Sequence, residues 1–284
     1  MVNEGKLLIY RRGGLGDTLL TFPIAEIFKR KGYTVHFAGN TDYLPLGKEA
    51  GFIDRYFSDI KMPPSAGLNL ESYSKIILFS KENFLNHPRA EVVNPLPPKG
   101  VHALRHYLKS LNLSGEHFSA ELPLEGKTDW DGFLIIHPGS GSKLKNAPSG
   151  LFKELYHRAG ELGLKPLVVL GVAEEHLSGY FDNFDTYRVE DILEFAKLLK
   201  GAAVFVGNDS GFSHLAGYLG VPTLALFGPT DPVQWRPIGR RVSVLYKGLT
   251  CSPCFPKGCK NRLYKECLSF SLERVMEALR GLLL

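Results

Sequence analysis

Val204 to Pro232 reads VFVGNDSGFSHLAGYLGVPTLALFGPTDP. A short run, Val204-Phe205-Val206, ends in Gly207-Asn208-Asp209-Ser210-Gly211. A helix-like segment follows from Phe212 to Leu219 and stops at Gly220. A second apolar run, Thr223 to Phe227, ends in Gly228-Pro229-Thr230. This is a β-turn-α-β unit whose two strands both end in small and polar residues. In a parallel sheet those ends share one edge, and ligands bind there. The helix begins at the same edge, with free backbone N–H groups and the positive end of its dipole pointing outward. The stretch reads as an anion site, most simply for a phosphate or diphosphate.

Upstream of it, Phe133 to His137 is a buried strand followed by the small-residue loop Pro138-Gly139-Ser140-Gly141-Ser142. Small residues let a ligand approach the backbone, and Lys143 and Lys145 in the same loop carry charge that can neutralise phosphate. A surface turn with solvated lysines is the plainer alternative. A helix is expected from about Ser149 to Leu162, a strand over Pro166 to Leu170, and a helix over Glu190 to Lys200. Glu174 and Glu175 follow the Pro166–Leu170 strand.

The N-terminal part repeats the alternation. Lys6 to Arg11 reads as a buried strand, Arg12-Gly13-Gly14-Leu15-Gly16-Asp17 as a glycine-rich turn, and Thr18 to Lys31 as a helix. Pro23 should kink that helix or shorten its first turn, and Gly32 stops it. Thr34 to Ala38 is the next strand. The start invites a nicotinamide-dinucleotide reading, but Leu19 stands where the third glycine of G-x-G-x-x-G belongs, and no acid ends the second strand. The glycines more simply allow a tight turn that puts Asp17 at the helix N-terminus, as an N-cap. Lys75 to Phe79 is a further strand, Lys81 to Gly100 a long aperiodic loop of the kind that binds or moves, and Val101 to Leu113 is helical. Strands alternating with helices throughout give an α/β protein with parallel sheets. A boundary near residue 128 separates residues 1–128 from 129–284, each a set of parallel strands with helices on both faces. Asp129-Trp130-Asp131 matches the D-x-D pattern of metal-dependent sugar transferases, but it precedes a strand instead of following one.

The chain has 284 residues, 44% of them hydrophobic and 22% charged, with a net charge of +5. Residues 1–128 carry 16 Lys/Arg against 13 Asp/Glu, and the rest 18 against 16, so neither half is a basic module. That balance suits anionic small molecules or an anionic membrane face and is too weak to argue for nucleic acid. No apolar run approaches the ~20 residues of a membrane span, and the start has no signal-peptide core, so the expectation is a cytoplasmic protein. The tail, Leu272 to Leu284, reads as an amphipathic helix packed on a domain.

All four cysteines cluster as C-x2-C-x4-C-x7-C at Cys251, Cys254, Cys259 and Cys267. A tetrahedral structural zinc site, two disulfides and packed reduced thiols are the alternatives.

These motifs together resemble glycosyltransferase family nine, the bacterial lipopolysaccharide heptosyltransferases. The matching pieces are Gly16-Asp17-x-Leu19 with Pro23, His137-Pro138-Gly139 with Lys145 and Pro148, Asn208-Asp209-Ser210-Gly211 with Ser213-His214-Leu215-Ala216, Gly220-Val221-Pro222-Thr223, Phe227-Gly228-Pro229-Thr230-Asp231-Pro232 and the four-cysteine tail. The resemblance implies the GT-B fold, two Rossmann-like domains facing a cleft. It implies a C-terminal domain that holds a nucleotide-sugar donor, usually ADP-heptose, and an N-terminal domain that faces a lipid-anchored core oligosaccharide. It implies inverting transfer that requires no cofactor and no metal in the active site, by an enzyme peripheral to the cytoplasmic face of the inner membrane. Asp17 matches the catalytic base, and Lys145 would stabilise the leaving diphosphate. Gly139, Ser140, Ser210, Gly211, Gly228, Pro229 and Thr230 would line the phosphates, with His214 on phosphate or a sugar hydroxyl. Asp209 would meet the donor sugar, and Glu174 or Glu175 the ribose. The family's tryptophan before the loop proline is Ala147 here, which bears on the identity of donor sugar and acceptor. Another GT-B nucleotide-sugar enzyme, such as an epimerase or hydrolase, and a non-catalytic nucleotide-binding module are the competing readings.

Overall fold

The computed structural model describes residues 5–58, 68–255, 259 and 265–284. The chain divides into two compact units, Met1–Ser119 and Ala120–Leu284. The division lies ahead of the boundary expected near 128 because residues 121–127 are tied to the second unit. Leu122 N–H bonds the Tyr218 carbonyl (2.6 Å) and Lys127 N–H bonds that of Lys197 (2.8 Å). Glu121 pairs with Lys200 at 2.9 Å.

The first unit opens with β1 (Lys6–Arg11), whose Leu7, Leu8 and Ile9 are fully buried. The single helix expected over Thr18–Lys31 is two helices, α1 (Leu15–Leu19) and α2 (Phe22–Arg30). Pro23 sits in the first turn of α2, where its missing N–H costs nothing. The chain continues through β2 (Thr34–Gly39), α3 (Leu44–Glu49), β3 (Arg55–Ser58), β4 (Lys75–Phe79), β5 (Ala90–Val93) and α4 (Ala103–Ser110). β5 lies inside the stretch read as an aperiodic loop. It has four residues between two X-Pro pairs, too short to show a period. All pairings are parallel, in the order β3-β2-β1-β4-β5. Glu26 of α2 is buried and accepts the Ser119 N–H with both oxygens (2.8 and 3.0 Å), which fastens the end of the unit to that helix.

The second unit contains β6 (Phe133–His137), α5 (Ser149–Arg158), β7 (Lys165–Leu170), β8 (Thr186–Arg188), α6 (Ile192–Lys200), β9 (Val204–Asn208), α7 (Gly211–Tyr218), β10 (Thr223–Phe227), α8 (Pro232–Trp235), β11 (Val242–Tyr246) and α9 (Leu272–Leu283). Its six parallel strands run β11-β10-β9-β6-β7-β8. Counted from β6 as the first strand, that is the 3-2-1-4-5-6 order of doubly wound nucleotide-binding sheets, and the first unit follows the same rule through 3-2-1-4-5. One face of the second sheet, with Leu134, Ile136, Val204, Val206, Leu224 and Leu226, packs on Phe152 and Leu155 of α5 and on Val275, Met276 and Leu279 of α9. Trp130 of the D-x-D match is buried, edge-on to Tyr187 at 5.1 Å and near Phe195 at 6.0 Å. Among the described residues no helix is long and apolar enough to cross a membrane.

Candidate functional site

In the second unit the winding direction reverses between β6 and β9, so the loops that leave these strands open a crevice at the carboxyl edge. α7 starts there at Gly211. Its N-cap is Ser210, whose Oγ accepts the Ser213 N–H (3.3 Å) and lies 3.3 Å from His137 Nδ1. Ser213 Oγ donates back to the Asn208 carbonyl at 2.5 Å. Asp209, Ser210 and His214 are all buried. His214 stands one turn into α7, as its sequence position implies.

Asn208, to which the sequence motif assigns no role, is the pin of this edge. It is 0% exposed. Its Oδ1 accepts the Ala147 N–H (2.8 Å), and its Nδ2 donates to the carbonyls of Pro138 (2.8 Å) and Gly139 (3.2 Å). One side chain thus joins the end of β9 to both ends of the loop after β6. Inside that loop Ser140 is buried, and its hydroxyl faces Asn146 Oδ1 (2.6 Å) and the Ser142 carbonyl (2.8 Å). Lys145 lies on the single turn Lys143–Lys145, with its ammonium 3.3 Å from Asp209 Oδ2 and 5.7 Å from the centre of the Phe255 ring.

Two glycines of the predicted site have structural work of their own. A Cβ on Gly139 would lie 1.9 Å from Glu174 Cγ, and one on Gly228 would lie 2.5 Å from Leu268 Cγ and 2.9 Å from Cys267 Sγ. Glu174 turns inward: it is buried, its Oε2 accepts the Gly171 N–H at 2.9 Å and lies 3.6 Å from His137 Nε2. Burial pushes its carboxyl upward, but the contact with His137, that residue's charge and the Gly171 N–H outweigh this and hold it below the usual carboxylate range. Glu175 is exposed and pairs with Arg188 at 2.7 Å. Pro229 offers its carbonyl to the N–H groups of Cys254 and Phe255, both at 2.9 Å. Thr230 is buried, and its hydroxyl has no hydrogen-bond partner among the described residues. A buried, unsatisfied hydroxyl at a sheet edge is costly unless a ligand completes it.

In the first unit the reversal falls between β1 and β4, and Asp17 lies at that point. The N-cap of α1 is Gly14, not Asp17, which is the third residue of the helix and accepts the Gly14 N–H at 3.0 Å. Leu15 and Gly16 are already helical, which moves the cap upstream. Arg11, buried at the end of β1, forms a close ion pair with the other Asp17 oxygen. Gly13 permits this fold-back, since a Cβ there would lie 2.7 Å from the Asp17 carboxylate. Tyr107 is fully buried, and burial lifts its hydroxyl to about 12.

Of the cysteines, Cys251 is exposed, Cys254 and Cys259 half-buried and Cys267 buried; Cys251, Cys254 and Cys267 carry thiols. Burial, and then the neighbouring sulfurs, push the thiols of Cys254 and Cys267 upward. Zinc takes thiolates in a tight tetrahedron. Among the described residues no group of three His, Cys, Asp or Glu side chains is placed to hold a metal.

Residues 127–265 match the sequence profile of Glycosyltransferase family 9 (heptosyltransferase). Lipopolysaccharide heptosyltransferase 1 of Pseudomonas aeruginosa is 33% identical over 132 residues, a match that takes in 45% of this chain and 37% of that protein. E. coli ADP-heptose LPS heptosyltransferase II superposes with a TM-score of 0.79 at 15% identity, over 98% of both chains. E. coli heptosyltransferase WaaC, solved with ADP, superposes with a TM-score of 0.70 at 16% identity, over 98% of this chain and 99% of that one. At such identities the likeness to the structures is one of fold, two parallel α/β units of the GT-B type. The profile match covers 127–265, within the second unit, and the chain spans little more than a third of the Pseudomonas relative's length, so it is similar to the glycosyltransferases of family 9 through that unit.

Proposed function

We propose that the protein transfers heptose, or a closely related sugar, from an ADP-sugar to a core oligosaccharide of lipopolysaccharide, with inversion and without an active-site metal. The observation that carries this reading is the placement of Lys145, paired with Asp209 at 3.3 Å beside the Ser210-capped start of α7. Departure of ADP leaves negative charge on its diphosphate. A lysine and the first amides of an eight-residue helix are the groups that stabilise such charge where no metal does so. The Thr230 hydroxyl supplies a further donor. ADP bound to the E. coli relative and the name of the Pseudomonas relative support the choice of nucleotide and sugar.

In the reaction an acceptor hydroxyl oxygen bonds to the anomeric carbon as the bond from that carbon to the β-phosphate oxygen breaks. The hydroxyl proton passes to Asp17. Arg11 and the Gly14 N–H orient the Asp17 carboxylate, which accepts the proton as charge builds on the attacking oxygen. The Asp209 carboxylate releases Lys145 to the phosphates and turns to donor hydroxyls. The acceptor is lipid-anchored, so the enzyme works at the cytoplasmic face of the inner membrane as a peripheral protein.

Turnover of ADP-heptose with a core acceptor tests this. Asp17→Asn should lower kcat by about 10²–10⁴ and leave ADP affinity within twofold. Lys145→Ala should weaken ADP roughly tenfold. Chelators should leave the rate unchanged, and the product should carry the inverted anomeric configuration by NMR. Full turnover by Asp17→Asn, or stronger thermal stabilisation by UDP than by ADP, would overturn the reading.

A further inference from the structure

The sequence alone does not connect the cysteine-bearing tail to the donor site. The contacts of its described residues say otherwise. Lys265 Nζ donates to the Lys143 carbonyl at 2.5 Å and to the Asn146 carbonyl at 3.3 Å, bracketing the turn that carries Lys145. The main chain of Lys265 is left-handed, with φ 63° and ψ 24°. A lysine seldom adopts that conformation, and it persists only where surrounding contacts over-determine it. Those contacts are present. Glu266 is held by Lys247 at 2.9 Å, and Leu268 N–H bonds the Lys265 carbonyl at 2.8 Å. Cys267 and Leu268 are buried against Gly228. On the other side of the segment, Cys254 and Phe255 bond the Pro229 carbonyl, and the Phe255 ring faces the Lys145 ammonium. Asn208 grips the Lys145 turn from the sheet through Ala147, and Lys265 grips it from the tail.

We infer that Lys265 is a positioning residue of the donor site, setting the Lys143–Asn146 turn so that the Lys145 ammonium meets the diphosphate of the donor. Phe255 and residues 265–268 are then a wall of that site, reaching the loops after β6 and β10 together. This rests on the reading of Lys145 as the diphosphate cation.

Titration of the full chain with ADP decides the matter, because it needs no acceptor. Lys265→Met should weaken ADP about three- to tenfold. In a Lys145→Ala background the same change should alter ADP affinity by less than about twofold, since the group it positions is gone. Lys265→Arg, which can still donate to both carbonyls, should bind ADP as the unaltered protein does. Lys265→Gly suits the left-handed backbone and keeps the fold, so it should melt at least as high while still binding ADP weakly. If Lys265→Met is poorly folded, the glycine variant alone gives the answer. Unchanged ADP affinity in Lys265→Gly, or equal losses from Lys265→Met with and without Lys145, would overturn the inference. If Lys145→Ala binds ADP normally, the reading of Lys145 itself fails; if Lys145→Ala is weak and the Lys265 variants are normal, only the positioning role fails.

Discussion

The amide of Asn208 meets one N–H and two carbonyls, a pattern that only an amide side chain matches. Asn208→Ala should destabilise the protein by about 2–4 kcal/mol in urea unfolding, because three buried backbone groups lose their partner. Asn208→Asp should cost at least as much, since a carboxylate cannot donate to Pro138 and Gly139. Gly139→Ala should cost roughly 1–3 kcal/mol by forcing Glu174 off its position, and the loss should shrink in a Glu174→Ala background. These cases mark the limit of reading residues from a string. The composition of the loop after β6 and the Ser210 cap were legible because small residues and N-caps have local signatures. The direction of the Glu174 carboxylate, the packing reason for Gly228 and the pairing of Arg11 with Asp17 were not. Each depends on what the fold brings against the residue from elsewhere in the unit.

Elements with a full period were legible. β1, β6 and β10 run over the residues expected of them, and α9 ends one residue short. The break between α1 and α2 was only half legible, since Pro23 marks a helix start as readily as a kink. β5 and β8, of four and three residues, offer no period to read. β2 carries a titrating group that should show in pH dependence. His36 is buried with its Nδ1 2.8 Å from the Tyr73 hydroxyl. Burial first, then the charges of Arg55 and Lys6, hold its pKa below the ordinary 6.5, against a smaller upward pull from Asp54. The unfolded chain therefore takes up this proton at higher pH than the folded one. The stability linked to His36 is complete above about 6.5 and is lost as pH falls through the folded value. His36→Gln should flatten the fall in urea-unfolding stability below pH 6.5 relative to the unaltered protein.

Both units follow one winding rule, and each puts its functional candidates where the winding reverses. This was legible in outline: alternation of strand and helix implies parallel sheets, and small residues after strands mark the ligand edge. The strand order was not, because pairing between distant segments leaves no local trace. ADP saturating the second unit at 100 times its Kd should add about 2.7 kcal/mol to that unit's stability. Hydrogen exchange should slow at 139–146, 210–213 and 230, while the buried strands of the first unit exchange as before. Protection confined to residues 12–18 would contradict the assignment of the nucleotide to the second unit.

The position of α9 has a consequence for biosynthesis. Its Val275, Met276 and Leu279 complete the core beneath β9 and β10, although they are encoded far downstream of both strands. On the ribosome the first unit has all its strands by Val93 and its last helix by Ser110, so it can close while translation continues. The second unit cannot close until α9 leaves the exit tunnel. Until then the apolar face of its sheet is open, and a nascent chain stalled before Leu272 should be a client for chaperones.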